Sequence, residues 1–328
     1  MSDAIVIKKL VKKFGDFTAL AGLDLDVKQG ELFGLLGPNG AGKTTTINII
    51  MGLLSLTSGV VHINGLDISQ NPEKIKNMIG VMTQETIVET ELTGKDNLRL
   101  FADLYHVPES EIEDRVKESL AEADLTSFGD TRAGTFSGGM QRRLALVRCM
   151  IHDPKILILD EPTTGLDVQN RVSMWGRIRK LNEQGVTIIL TTQYLEEADA
   201  LCERIAIIDH GKIKAVGTPS ELKKMVGTGN ILEVVTHKED IPKASRVLKE
   251  EFKLEPIVKV DRINAEIERD SFKTMSKINE RLRKEKVEVL AIGLHLPTLD
   301  DVFIKLTGSS FRDSTGADTS RNSVWANR

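Results

Sequence analysis

The sequence predicts an α/β protein: a largely parallel sheet covered by helices, followed by a smaller α+β unit. Nearly continuous apolar runs at Leu32–Leu36, Ile156–Leu159, Val186–Leu190 and Ile205–Ile208 read as strands buried on both faces, as in parallel sheets. Strand-like and helix-like segments alternate from residue 1 to about 226. Beyond residue 227 the order becomes β-α-β-β-α-β.

The N-terminal Met1-Ser2-Asp3-Ala4 opens directly into a strand-like run, without a signal-peptide pattern. Leu32–Leu36 feeds a Gly-rich turn and then a helix from Lys43 to about Leu54. A second helix, Gln141 to Met150, precedes the strand Lys155–Asp160. A linker falls at Met225–Asn230, where Gly227 and Gly229 follow a helix. Next come a strand at Ile231–Val235 and a helix marked by Ile241, Ala244, Val247, Leu248 and Phe252. Strands at Pro256–Val260 and Ile263–Ile267, a helix at Ser271–Lys284 and a strand at Val287–Ile292 complete a ferredoxin-like order. A last helix carries the stripe Leu299, Val302, Phe303 and Leu306, with Thr298 and Asp301 resembling a capping box. Residues 308–328 are rich in Ser, Gly, Thr and Asp, lack an apolar period and read as a disordered tail. The expected division is 1–226, 227–307 and 308–328.

Two such domains suit 328 residues at about 150 residues each. Lys plus Arg total 44 against 48 Asp plus Glu, so no basic excess points to a nucleic-acid partner. Cys149 and Cys202 are too few for a disulfide framework, and neither sits in a C-x-x-C pair that would suggest zinc. No run approaches the ~18 uninterrupted apolar residues of a membrane span. Any membrane role must therefore run through a partner.

Gly37-Pro38-Asn39-Gly40-Ala41-Gly42-Lys43-Thr44 fits the phosphate-loop pattern G-x-x-x-x-G-K-[ST]. Glycines let the backbone wrap phosphate oxygens with inward N–H groups, and the helix N-terminus adds partial positive charge. Lys43 reaches the β and γ phosphates and the Thr44 hydroxyl suits Mg²⁺; Thr45 follows on the helix. The bland alternative is a Gly-rich turn entering a helix that happens to hold a lysine. Leu157-Ile158-Leu159-Asp160-Glu161 supplies the acidic partner element. Asp160 is expected on the metal, through water, and Glu161 as general base towards the water beyond the γ-phosphate.

Phe136-Ser137-Gly138-Gly139-Met140-Gln141 places a Ser and two glycines at another helix start, a second anion site. The alternative is a simple N-capping Ser in a turn. One nucleotide does not need two cradles far apart in the chain. The economical reading is that Ser137, Gly138 and Gly139 meet the γ-phosphate held by a second copy, with ATP between the two.

These elements resemble the ATP-binding subunit of an ABC transporter. The phosphate loop, Gln84 in VMTQ, FSGGM, LILDE, Gly165-Leu166-Asp167 and Thr191-Thr192-Gln193 stand in that family's order over residues 5 to about 220. RAGTFSGGMQRRL, TTGLD, TTQYLEEAD and the C-terminal PTLDDVFIKLTG resemble its daunorubicin-resistance group of drug and polysaccharide exporters. The resemblance implies a P-loop ATPase fold with a helical subdomain, from about Thr86 to Asp130, that meets a separate transmembrane permease. It also implies ATP and Mg²⁺ as ligands, a dimer of two such subunits, and a cytoplasmic position on the inner membrane face through the permease. Phe14 would stack on adenine, the alternative being a core aromatic. Gln84 would touch Mg²⁺ or the attacking water, and Asp167 would contact the facing subunit.

Two residues depart from the family pattern. Met140 replaces the usual Gln that ends the signature, removing a polar contact. Gln193 replaces the usual switch histidine; its amide still donates to a γ-phosphate but carries no charge and relays no proton. Losing a well-placed donor to transition-state charge costs ~2.7–4 kcal/mol, part of which Gln193 retains. The expected result is slower but real hydrolysis. The rival reading is a soluble ABC-type ATP switch without a permease; such relatives usually carry two ATP-binding halves or an inserted coiled coil, and neither is present.

Overall fold

A computed structural model of the chain describes residues 2–84, 88–227, 229–258, 262–267 and 271–307. It separates into two compact units at Val216/Gly217. In chain order the first unit contains β1 (Asp3–Phe14), β2 (Phe17–Lys28), β3 (Leu32–Leu36), α1 (Lys43–Ile50), β4 (Ser58–Ile63), β5 (Leu66–Asp67), α2 (Pro72–Lys76), β6 (Ile79–Met82), α3 (Gly94–Leu104), α4 (Glu109–Glu122), α5 (Gly138–Met150), β7 (Ile156–Asp160), α6 (Val168–Glu183), β8 (Thr187–Thr191), α7 (Leu195–Leu201), β9 (Arg204–Asp209) and β10 (Lys212–Gly217). The second contains α8 (Pro219–Val226), β11 (Asn230–Thr236), α9 (Ile241–Glu251), β12 (Ile257–Val258), β13 (Arg262–Ile267), α10 (Ser271–Lys284), β14 (Val289–His295) and α11 (Leu299–Thr307).

The central sheet has the order β10-β9-β3-β8-β7-β6, and the pairs β3–β8, β3–β9, β6–β7 and β7–β8 are parallel. Every residue of β3 and β8 is buried, which explains their apolar runs. A second sheet, β2-β1-β4-β5, is antiparallel. It is absent from the sequence expectation: several register shifts interrupt the alternation of β1, whereas β2 keeps a period-two pattern over Leu23–Lys28. Both sheets share one core: Phe33, Leu35, Ile158 and Ile189 meet Ile5, Ile7, Leu23 and Leu25, with Ile47, Ile49 and Ile50 of α1.

The parallel register aligns the strand ends that carry the motifs. Met82 pairs with Leu159 and Asp160 with Thr191. Gln84, Glu161 and Gln193 thus leave adjacent strands at their C-terminal ends, where open α/β sheets bind ligands. Between β6 and α5 lie α3, α4 and short 3₁₀ turns at Thr126–Phe128 and Ala133–Thr135. They form the expected helical stretch, although Thr86, its expected start, is outside the described residues.

The second unit shows the strand order β12-β13-β11-β14, all antiparallel, around Leu232, Val234, Val247, Leu248, Ile263, Ile278 and Leu282. Its border lies at 216/217 rather than 226/227 because α8 packs within it: Lys305 Nζ of α11 donates to the Met225 carbonyl at 3.0 Å. A full capping box, Thr218 with Glu221, starts α8. The expected tail and its Trp325 lie outside the described residues. No helix among the described residues is long and apolar enough to cross a membrane.

Candidate active site

The phosphate loop runs from the end of β3 to α1. Its glycines are required by close approach and by backbone conformation. A Cβ on Gly37 would stand 2.3 Å from the Ile208 carbonyl oxygen. Gly42 has φ +111° and would place a Cβ 2.7 Å from Leu20 Cδ2. Asn39 and Gly40 are exposed at the loop tip, Pro38 is half-buried, and Ala41 is buried with its N–H on the Pro38 carbonyl at 3.1 Å. Lys43 Nζ donates to the Gly37 and Pro38 carbonyls at 2.7 and 3.1 Å. Burial lowers the Lys43 pKa, opposed by the neighbouring carboxylates of Glu161 and Asp160. The Thr44 residue is exposed, while Thr45 is half-buried.

Asp160, at the end of β7, accepts a hydrogen bond from the Thr191 hydroxyl of β8. Glu161 follows in a left-handed conformation, φ +52°, held by its N–H on the Thr191 carbonyl at 3.0 Å. A non-glycine residue in this region persists only where its surroundings over-determine it. Those surroundings are explicit. Gln193 Nε2 donates to both Glu161 oxygens, at 2.7 and 2.6 Å, and Thr164 Oγ1 to Oε2 at 3.1 Å. The carboxylate is thus aimed by an amide and a hydroxyl in a nearly buried setting, 9% exposed. Gln193, expected to donate to a γ-phosphate, has its amide engaged on the Glu161 carboxylate.

A second cluster forms around α5 and α6. Ser137 caps α5, its Oγ accepting from Met140 N at 3.3 Å. Gly138 faces open space: an added Cβ would meet nothing within 4 Å. On Gly139 a Cβ would stand 2.7 Å from Asn170 Oδ1. Asn170 is held in turn by Asp167, which caps α6 by accepting from Asn170 N at 2.8 Å and Nδ2 at 2.7 Å. These bonds hold the Asp167 carboxyl below its ordinary pKa. Lys43, Asp160, Glu161, Thr191 and Gln193 therefore make one cluster, and Ser137, Gly139, Asp167 and Asn170 another. Phe14 is half-buried at the end of β1, with Lys12 Nζ 4.9 Å from its ring centroid. Gln84 is exposed directly after β6, its carbonyl taking a hydrogen bond from Arg142.

Residues 20–164 match the family model for ABC transporters. The chain is 42% identical over 307 residues to the daunorubicin resistance ATP-binding protein DrrA2 of Streptomyces coeruleorubidus, covering 93% of this chain and 95% of that one. The chain belongs to the ABC transporter ATP-binding proteins. Residues 217–307 match the C-terminal domain of DrrA1-3-like ATP-binding proteins, so the second unit is a feature of this group. The linearmycin resistance ATP-binding protein LnrL of Bacillus subtilis is 34% identical, covering 93% of this chain and 99% of that one. A solved ABC transporter ATP-binding subunit superposes with a TM-score of 0.62 at 30% identity, over 68% of this chain and 92% of that one. A dimeric ATP-binding cassette solved in a post-hydrolysis state with ADP and Pi superposes at 0.59 and 29% identity, over 65% of this chain and 98% of that one. As an ABC ATP-binding protein, the chain hydrolyses ATP to drive transport.

Sequence reasoning missed four parts of this ABC site. Thr191 and Thr164 orient the two carboxylates, Asn170 joins Asp167 to Gly139, and Arg142 reaches Gln84. Thr164, Thr191 and Arg142 lie within the family's motifs, but only tertiary contacts distinguish a bridging Thr or Arg from a solvated one.

Proposed function

We propose that the chain is the ATP-hydrolysing subunit of a membrane exporter and works as a closed pair with Mg²⁺ and a separate permease. The observation that carries this reading is the split between the two clusters. The own-chain cluster holds the phosphate loop, the base and the orienting amide, whereas Gly138 in the Ser137 turn faces outward. A second copy bringing that turn to the first copy's γ-phosphate completes a site that one chain leaves half-built.

The residues fit ATP and its cation. Close approach at Gly37 and the left-handed Gly42 shape a cradle whose N–H groups and helix start suit phosphate oxygens. Thr44, Asp160 and Gln84 would hold Mg²⁺, which when bound neutralises the phosphate oxygens. Lys43 places an ammonium among the loop carbonyls and exchanges them for β and γ oxygens. Phe14 stacks on the adenine. Glu161 takes the proton from the attacking water, while Gln193 and Thr164 fix the carboxylate's direction. Ser137, Gly138, Gly139 and Asp167 act across the dimer contact. Nothing at position 193 titrates, so this position adds no pH dependence.

Cargo passes through the permease. The relatives' names, daunorubicin and linearmycin resistance and Nod factor export, support export of drug-, lipid- or polysaccharide-class compounds. The subunit then sits on the cytoplasmic membrane face by docking to that permease. The rival soluble switch is disfavoured because the likeness to resistance ATP-binding proteins extends through the C-terminal domain. The test is co-reconstitution with a candidate integral-membrane permease. ATP-dependent efflux that disappears in Glu161→Gln supports the proposal; unchanged efflux in that variant contradicts it.

A further inference from the structure

Arg142 lies on α5, five positions beyond Ser137. Its Nη2 donates to the Gln84 carbonyl at 3.2 Å and to the Thr164 carbonyl at 3.3 Å. Thr164 passes the connection on: its hydroxyl donates to Glu161 at 3.1 Å, and its N–H meets the Glu161 carbonyl at 3.2 Å. One guanidinium thus holds the backbone after β6 and the turn that carries the base. Burial lowers its pKa and the Glu161 charge opposes that, which places the cation within the field of the base. Arginine remains charged under any assay condition, and its terminal Nη2 carries the two hydrogens that the two carbonyls take.

The helix bearing Arg142 is the one whose N-terminal turn serves the paired copy. The loops Arg142 holds serve the chain's own nucleotide. Resting on the composite-site reading above, we infer that Arg142 is a positioning residue that couples the two ATP sites of the dimer: occupation of the Ser137 turn by the partner's γ-phosphate is transmitted through α5 and Arg142 to Gln84 and Glu161. A second contact runs in parallel, since Gly139 packs on Asn170 and Asn170 is bonded to Asp167 at the end of the same turn. The coupling path therefore lies within one protomer and needs no movement of the phosphate loop.

The test is steady-state phosphate release by the full chain with its membrane partner, fitted for kcat, half-saturation and Hill coefficient. The variants are Arg142→Ala and Arg142→Lys. Binding of a fluorescent ATP analogue and thermal melting verify that each variant is folded. Wild type is expected to show a Hill coefficient above one, as two coupled sites allow. Arg142→Ala brings it to unity and lowers kcat about tenfold, the loss expected for one charge-assisted hydrogen bond, while analogue affinity changes less than about twofold. Arg142→Lys recovers part of kcat, because charge returns on a compact ammonium that lacks the guanidinium's plane. Cooperativity surviving in Arg142→Ala overturns the inference, as does a non-cooperative wild type. Failure of Glu161→Gln to dimerise with ATP removes the composite-site reading and this inference with it; dimerisation with unchanged Arg142→Ala kinetics removes the inference alone.

Discussion

Replacing Gln193 by Ala removes the amide that grips both oxygens of Glu161, at 2.7 and 2.6 Å. Thr164 then remains as the side-chain donor to that carboxylate, through one bond at 3.1 Å. Glu161 is 9% exposed and lies at φ +52°, so water is a poor substitute and the backbone offers little alternative geometry. A hydrogen bond to a charged group is worth about 1.5–3 kcal/mol. At 1.36 kcal/mol per decade this is about a 10- to 150-fold loss in kcat if the bond is made fully in the transition state. The contact is to the base, so the KM for ATP should move by less than about twofold. The assay is phosphate release by the transporter complex at pH values from about 5.5 to 8.5, which straddle the ordinary histidine value. Gln193→His should restore turnover at high pH and lose it as the imidazole protonates, at a pH raised above the ordinary ~6.5 by the Glu161 carboxylate with which it ion-pairs. Wild type has no such inflection from this position. Turnover of Gln193→Ala within about twofold of wild type would refute the assignment of Gln193 as the group that aims the base.

Two glycines of the Ser137 turn should separate in their effects. Gly139→Ala forces a Cβ to 2.7 Å from Asn170 Oδ1 and should cost about 1–3 kcal/mol of stability, visible in a melting curve. Gly138→Ala meets nothing within 4 Å and should melt like wild type, yet weaken ATP-dependent pairing, since the proposed composite site sets that face against the second copy. Glu197 is fully buried and accepts from Trp175 Nε1 at 2.8 Å. Burial raises its pKa above the ordinary 4.5, against the side chains of Thr192 and Trp175. A carboxyl with a raised folded pKa contributes stability that is complete below the unfolded value and is lost as pH rises through the folded one. Glu197→Gln should therefore gain melting temperature relative to wild type as pH rises from about 4 to neutrality, and a difference independent of pH would contradict this account.

The strand–loop–helix of the phosphate site, the buried strand ending in Asp160 and Glu161, and the C-terminal β-α-β-β-α-β order were all legible, because continuous burial and glycine spacing leave strong local marks. Helix ends were less so. The first helix stops at Ile50 rather than Leu54 because Met51 caps it and Gly52, at φ +69°, turns the chain away. The signature helix begins at Gly138 rather than Gln141, since capping by Ser137 outweighs the poor helix propensity of two glycines. The last strand begins at Val289 rather than Val287; Val287 N–H still bonds the Leu282 carbonyl at the close of α10, with Lys286 at φ +59°. Within the site, composition and spacing identify groups that carry charge, such as Lys43 and Glu161. They do not show that Gln193 meets Glu161 or that Arg142 spans two loops, because those contacts join residues 32 and 58 positions apart.

The most direct measurement is the mass of Glu161→Gln in solution, by light scattering, with saturating ATP and Mg²⁺ and with its membrane partner present or absent. A base that cannot take the proton should trap the closed pair, so the account predicts a nucleotide-dependent dimer that ADP does not support. A chain that stays monomeric with ATP, alone and beside its permease, would contradict it.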